Sequence, residues 1–108
     1  MDTVKYTMLA MLLYAGQLKA QVTSIVGPTG SGDFGYSVTV LNNGNFVVTD
    51  PYFFDGIVQN AGAVYLYDGK THSLISTLKG KTNNDFVGLD GVIALHNGNF
   101  VVLSRSVD

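Results

Sequence analysis

The sequence predicts an all-β chain of antiparallel four-stranded blades, an incomplete β-propeller with about one and a half blades present. Three observations carry this. First, VTVLNNGNFVVTD at 38–50 recurs as VIALHNGNFVVLS at 92–104, identical at 8 of 13 positions at an offset of 54. Second, Asn-Gly and Asp-Gly pairs punctuate short runs rich in Val, Thr, Tyr and Phe, which is the pattern of strands joined by tight turns. Third, no stretch after Ala20 shows helical spacing over ten residues, all eight acids are aspartate, and there are 13 glycines.

Residues 1–20 have the order of a secretory signal peptide: Lys5 and the amino terminus, an apolar run from Met8 to Gly16, then Leu18-Lys19-Ala20. The apolar run is too short to span a bilayer as a helix. A short N-terminal helix packed on the domain is the competing reading. Cleavage after Ala20 leaves 88 residues with four basic and seven acidic side chains. No membrane span is then expected, and the chain is expected in the periplasm, at the cell surface or outside the cell.

Val22–Val26 is a trailing strand, and the segment VTSIVG at 22–27 resembles ISTLKG at 75–80. Thr29-Gly30-Ser31-Gly32 reads as a flexible connection between blades. Tyr36–Leu41 alternates as a first strand, and Asn43-Gly44 then offers a type I′ hairpin turn. Phe46–Thr49 returns, and Pro51 stops it because proline cannot donate to a ladder. Ala63–Tyr67 and Leu74–Leu78 are the third and fourth strands, with Asp68-Gly69 between them. Val92–Leu95 and Phe100–Ser104 begin the next unit around Asn97-Gly98. One repeat thus covers about 28–80 and a partial second about 81–108, within a repeat segment at 21–108. About four blades are needed to close a propeller, so this stretch does not close one alone.

Composition narrows the chemistry. There is no cysteine, hence no disulfide, thiolate ligand or cysteine nucleophile. A net charge of -2 argues against a nucleic-acid partner held through phosphates. Asp33, Asp50, Asp55, Asp85 and Asp90 fall in expected loops. As metal ligands or acid–base groups they would carry chemistry, but aspartate there is ordinarily a turn former. His72 and His96 lie at turns without metal-ligand spacing and read as solvent-facing. Ser31, Ser37 and Ser73 lack a nucleophile motif, and Gly30-Ser31-Gly32 lacks the rest of a phosphate loop. Phe46 and Phe100 are expected in the core. The strongest lead is Tyr52-Phe53-Phe54 beside Asp55, three adjacent aromatics outside a strand: either a stacking platform for a sugar or partner, or a loop packed into the hydrophobic layer.

Phe34-Gly35-Tyr36-Ser37-Val38, Asn45–Pro51 and Gly62–Gly69 together resemble an FG-GAP repeat, the blade unit of integrin-α-type propellers and of exported bacterial tandem-repeat proteins. Phe34-Gly35 matches its FG element, and Asp50-Pro51 stands where its GAP element lies. The resemblance implies loop-borne recognition or adhesion. The family's calcium loop would fall at Leu41–Asn45 and Leu95–Asn99, and neither stretch holds an aspartate, so no metal and no cofactor is expected. The functional expectation is an exported, non-catalytic protein that recognises a glycan or protein at the cell surface. A self-associating structural fragment, completed by further blades or copies, is the alternative. Part of a propeller-fold carbohydrate-active enzyme is the second.

Overall fold

The computed structural model describes residues 7–14 and 19–105, with side-chain environments from Ser24 onward. Leu18, in the expected cleavage motif three residues before the cut after Ala20, and Asp108 lie outside the described residues. All regular structure described is β: β1 (Thr7–Tyr14), β2 (Lys19–Val26), β3 (Ser37–Val40), β4 (Phe46–Asp50), β5 (Ala63–Tyr67), β6 (Leu74–Lys79), β7 (Gly91–Ala94) and β8 (Phe100–Leu103). The leader reading of residues 1–20 overlaps β1 and the start of β2. From β2 to β8 the strands fall within a few residues of their expected places.

Three antiparallel sheets result: the pair β1-β2, the four-stranded meander β3-β4-β5-β6, and the pair β7-β8. The sequence repeat is also a repeat of register. Val38 opposes Val48 in β3-β4, and Val92 opposes Val102 in β7-β8.

β4 is buried along its whole length, which is why Phe46-Val47-Val48 runs apolar without alternation. Successive side chains leave a strand on opposite faces, so β4 feeds two cores. On one face Phe46 and Val48 join Phe34, Phe53, Ala63, Tyr65 and Tyr67, with Ile25 of β2 packed against them. On the other, Leu41, Val47 and Val64 are covered by Val92, Phe100 and Val102 of the second hairpin. The two flanking hairpins therefore lie on opposite faces of the central sheet. β6 is exposed throughout.

The hairpin turns differ from expectation. Gly44 has φ of 92° and Gly98 of 83°, but Asn43 and Asn97 are not in the positive-φ region, which excludes a type I′ turn. The loop is three residues long and ends on a left-handed glycine, closed by Leu41 N–H to Asn45 carbonyl at 2.7 Å and Leu95 N–H to Asn99 carbonyl at 2.9 Å. Each leading asparagine works through its side chain instead: the Asn43 and Asn97 Oδ1 atoms accept from the amides of Asn45 and Asn99 at 3.0 and 3.1 Å. The two turns touch, and Asn42 Nδ2 donates to the His96 carbonyl at 2.9 Å.

Candidate functional site

β4 ends at Asp50 because Pro51 follows, and this places the Asp50 carboxylate inside the protein with no exposure. Its Oδ2 accepts from the Gly32 amide at 3.0 Å and its Oδ1 from the Asp33 amide at 2.8 Å. Burial pushes its pKa up, against the amides of Asp33, Gly32 and Tyr52, which favour the charged form. The reading of Asp50 as a loop residue is therefore corrected: it is a strand-end residue that reaches across to another segment.

That segment is the connection after β2, which is tied down rather than flexible. Gly35 and Tyr36 amides donate to the Thr49 carbonyl, both at 3.1 Å, and the Phe54 amide donates to the Gly30 carbonyl at 3.0 Å. Ser31 Oγ closes the turn onto the Pro28 carbonyl at 2.6 Å. The approach is close enough to require glycine: a Cβ on Gly30 or Gly32 would collide with the Phe54 or Tyr52 carbonyl.

Pinned this way, Tyr36 meets Tyr52 edge-to-face, ring centroids 6.2 Å apart. Tyr52 meets Phe86 of the second unit in the same manner at 5.9 Å. Tyr36 is 47% exposed, Tyr52 39% and the nearby Phe54 43%. The aromatic run does not form a single platform. Phe53 is 3% exposed and belongs to the core, with Lys79 Nζ 4.7 Å from its ring centre. Asp55 is a turn former, its Oδ1 accepting from Ile57 and Val58 amides at 2.8 and 2.7 Å; these bonds hold its pKa down. Of the four lead residues, Phe53 is buried while Tyr52, Phe54 and Asp55 are exposed, and Tyr52 has two ring partners that sequence reasoning had not joined to it. One signal was available. Most core and turn positions recur in the repeat, but Tyr36 and Tyr52 are replaced by Asp90 and Ser106 one unit on.

Two further acids are engaged within the chain. Asp85 bonds the Lys81 and Thr82 amides, both at 2.9 Å, upstream rather than downstream of itself. Asp90 pairs with Arg105 at 2.9 Å on the surface. His72 is a correction: half-buried rather than solvent-facing, it meets the Phe46 ring edge-on. His96 is exposed, as expected. Among the described residues no group of three His, Cys, Asp or Glu side chains could hold a metal ion. A cavity of about 330 Å³ lies on the first face of the central sheet, lined by Val26, Pro28, Tyr65, Tyr67 and Leu74 among others. The Tyr65 hydroxyl is buried without a protein partner, and desolvation, with the Asp50 charge, raises its pKa well above the usual phenol range.

A four-stranded antiparallel meander, with half of a second unit packed on it, defines a β-repeat protein. Residues 40–89 match the family model of a repeat of unknown function, DUF5650. This match does not tie the chain to FG-GAP or integrin-type repeats. No curated protein and no solved structure matches the chain.

Proposed function

We propose that this chain is a non-catalytic blade-type repeat segment that recognises a partner through the aromatic surface of Tyr36, Tyr52 and Phe86. The observation that carries this is the edge-to-face series of these three rings, with Tyr36 and Tyr52 47% and 39% exposed. Exposed rings held on a rigid base suit stacking against a flat apolar face, such as that of a pyranose ring in a glycan. The absence of the two tyrosines from the matching repeat positions, Asp90 and Ser106, favours a role beyond holding the fold. The FG-GAP likeness and a propeller-type arrangement of blades belong to the same reading. A non-catalytic role is favoured because Asp50, the one fully buried acid among the described residues, has its oxygens engaged by backbone amides.

The test is a glycan-array screen of the full chain, followed by titration of any hit against Tyr52→Ala and Tyr36→Ala. Each substitution should weaken binding about tenfold, in line with one lost stacking contact. Phe54→Ala, outside the ring series, should change it little. Equal affinity of all variants, or no glycan bound by the full chain, refutes the reading.

A further inference from the structure

The repeat extends further toward the amino terminus than the 38–50 and 92–104 match. Set AMLLYAGQLKAQVTSIVG at 10–27 over AVYLYDGKTHSLISTLKG at 63–80, an offset of 53. Ala10, Leu13, Tyr14, Gly16 and Gly27 fall on Ala63, Leu66, Tyr67, Gly69 and Gly80. Val22-Thr23-Ser24-Ile25 falls on Ile75-Ser76-Thr77-Leu78, similar at every position. β1-β2 and β5-β6 are both consecutive antiparallel pairs, in registers that differ by three residues: Ala10 opposes Thr23, whereas Ala63 opposes Lys79. β1-β2 is thus the second half of a unit, and β7-β8 is the first half of one.

We infer that two copies of this chain assemble head to tail, β8 of one pairing with β1 of the next to complete a four-stranded unit. β8 and β1 each have a strand partner on one edge alone among the described residues. Neither FVVL nor TMLAMLLY carries a charge, and charge is a common device by which proteins protect a free edge. The two halves of one chain cannot meet, because they flank opposite faces of the central sheet. The interface continues one already inside the chain. Leu41 and Val47, covered by the following hairpin, are 3% and 0% exposed, whereas their repeat mates Leu95 and Val101 are 42% and 41% exposed. The β4-β5 register, Phe46 with Tyr67 through Asp50 with Ala63, then dictates the joint. Phe100 meets Tyr14 of the second copy, Val101 meets Leu13, and Val102 meets Leu12. Such a contact is heterologous, so it closes into a ring or runs on as a filament. This assignment replaces the leader reading of residues 10–20 and is independent of the aromatic surface.

The chain has no native cysteine, which makes cross-linking clean. Leu13→Cys and Val101→Cys are made as separate chains, mixed and oxidised, and likewise Leu12→Cys with Val102→Cys. Adjacent cross-strand pairs alternate in spacing, so one of the two sets has the closer approach. A mixed disulfide between the two chains is expected, about tenfold above the out-of-register pair Leu13→Cys with Val102→Cys, whose side chains lie on opposite faces. Light scattering on the unsubstituted chain should give multiples of 11.5 kDa, with intact mass showing residues 1–20 retained. A monomer at every concentration, equal cross-linking in and out of register, or removal of residues 1–20 overturns the inference. The scattering result stands even if a cysteine variant misfolds.

Discussion

Asp50→Asn tests how the aromatic surface is held in place. The asparagine keeps the shape but has one acceptor oxygen, while the Gly32 and Asp33 amides approach two different oxygens at 3.0 and 2.8 Å. One amide must then face an NH₂ group. An unmet buried donor costs about 1–3 kcal/mol, and the charge-assisted bond lost with it was stronger than a neutral one. Relief of a buried carboxylate charge works the other way, so the net loss should be about 1–2 kcal/mol at pH 7. The pH dependence identifies the terms. The folded-state pKa of Asp50 is raised above 3.8 by desolvation. Its contribution to stability is therefore fully present below the unfolded value and lost as pH rises through the folded one. The deficit of Asp50→Asn relative to the native chain should widen as pH falls toward 3.8, even as total stability changes. Urea unfolding of both proteins between pH 7 and pH 3.5 measures this, and amide exchange at Gly32 and Asp33 locates it. An unchanged urea midpoint with unchanged exchange would refute the staple. A deficit that narrows at low pH would mean the amides outweigh desolvation.

Gly62→Ala should destabilise by about 1–3 kcal/mol, because Gly62 has φ of 79° and a Cβ would strike the Val87 backbone where the two units join; a urea midpoint within error of the native value would count against that joint. Leu41→Ala should cost about 2–4 kcal/mol as a core truncation. Leu95→Ala, one repeat on, should cost under about 0.5 kcal/mol in dilute monomer, and more at concentrations where copies assemble. Equal losses at the two sites in monomer would show that the exposed face is not as drawn.

Much of the scaffold was legible in the residues. The β-branched runs, Pro51 and the two Asn-Gly-Asn turns act over a few neighbours, so they placed β3 to β8 and their hairpins. The turn type was not, because Asn43 can serve through φ or through its side chain, and the docking of the turns decides. Residues 1–20 were ambiguous for a different reason: a short apolar run suits a leader and a strand equally, since periodicity does not separate them. For the site, the sequence brought out Tyr52 and Phe54 but could not separate them from Phe53. Their directions depend on a segment pinned by bonds between residues 17 and 18 positions apart. Nor could it show that Phe86, in the next unit and at φ of 49°, completes the ring series. The sequence by itself determined the repeat, the strands from β2 to β8 and the places of their turns, which follow from short-range sterics and hydrogen bonding. Only the tertiary structure decided that Asp50 is buried against backbone amides, that Phe53 turns inward, and that Tyr36, Tyr52 and Phe86 share one surface. Burial and long-range contact are properties of how the units pack, and no local pattern encodes them.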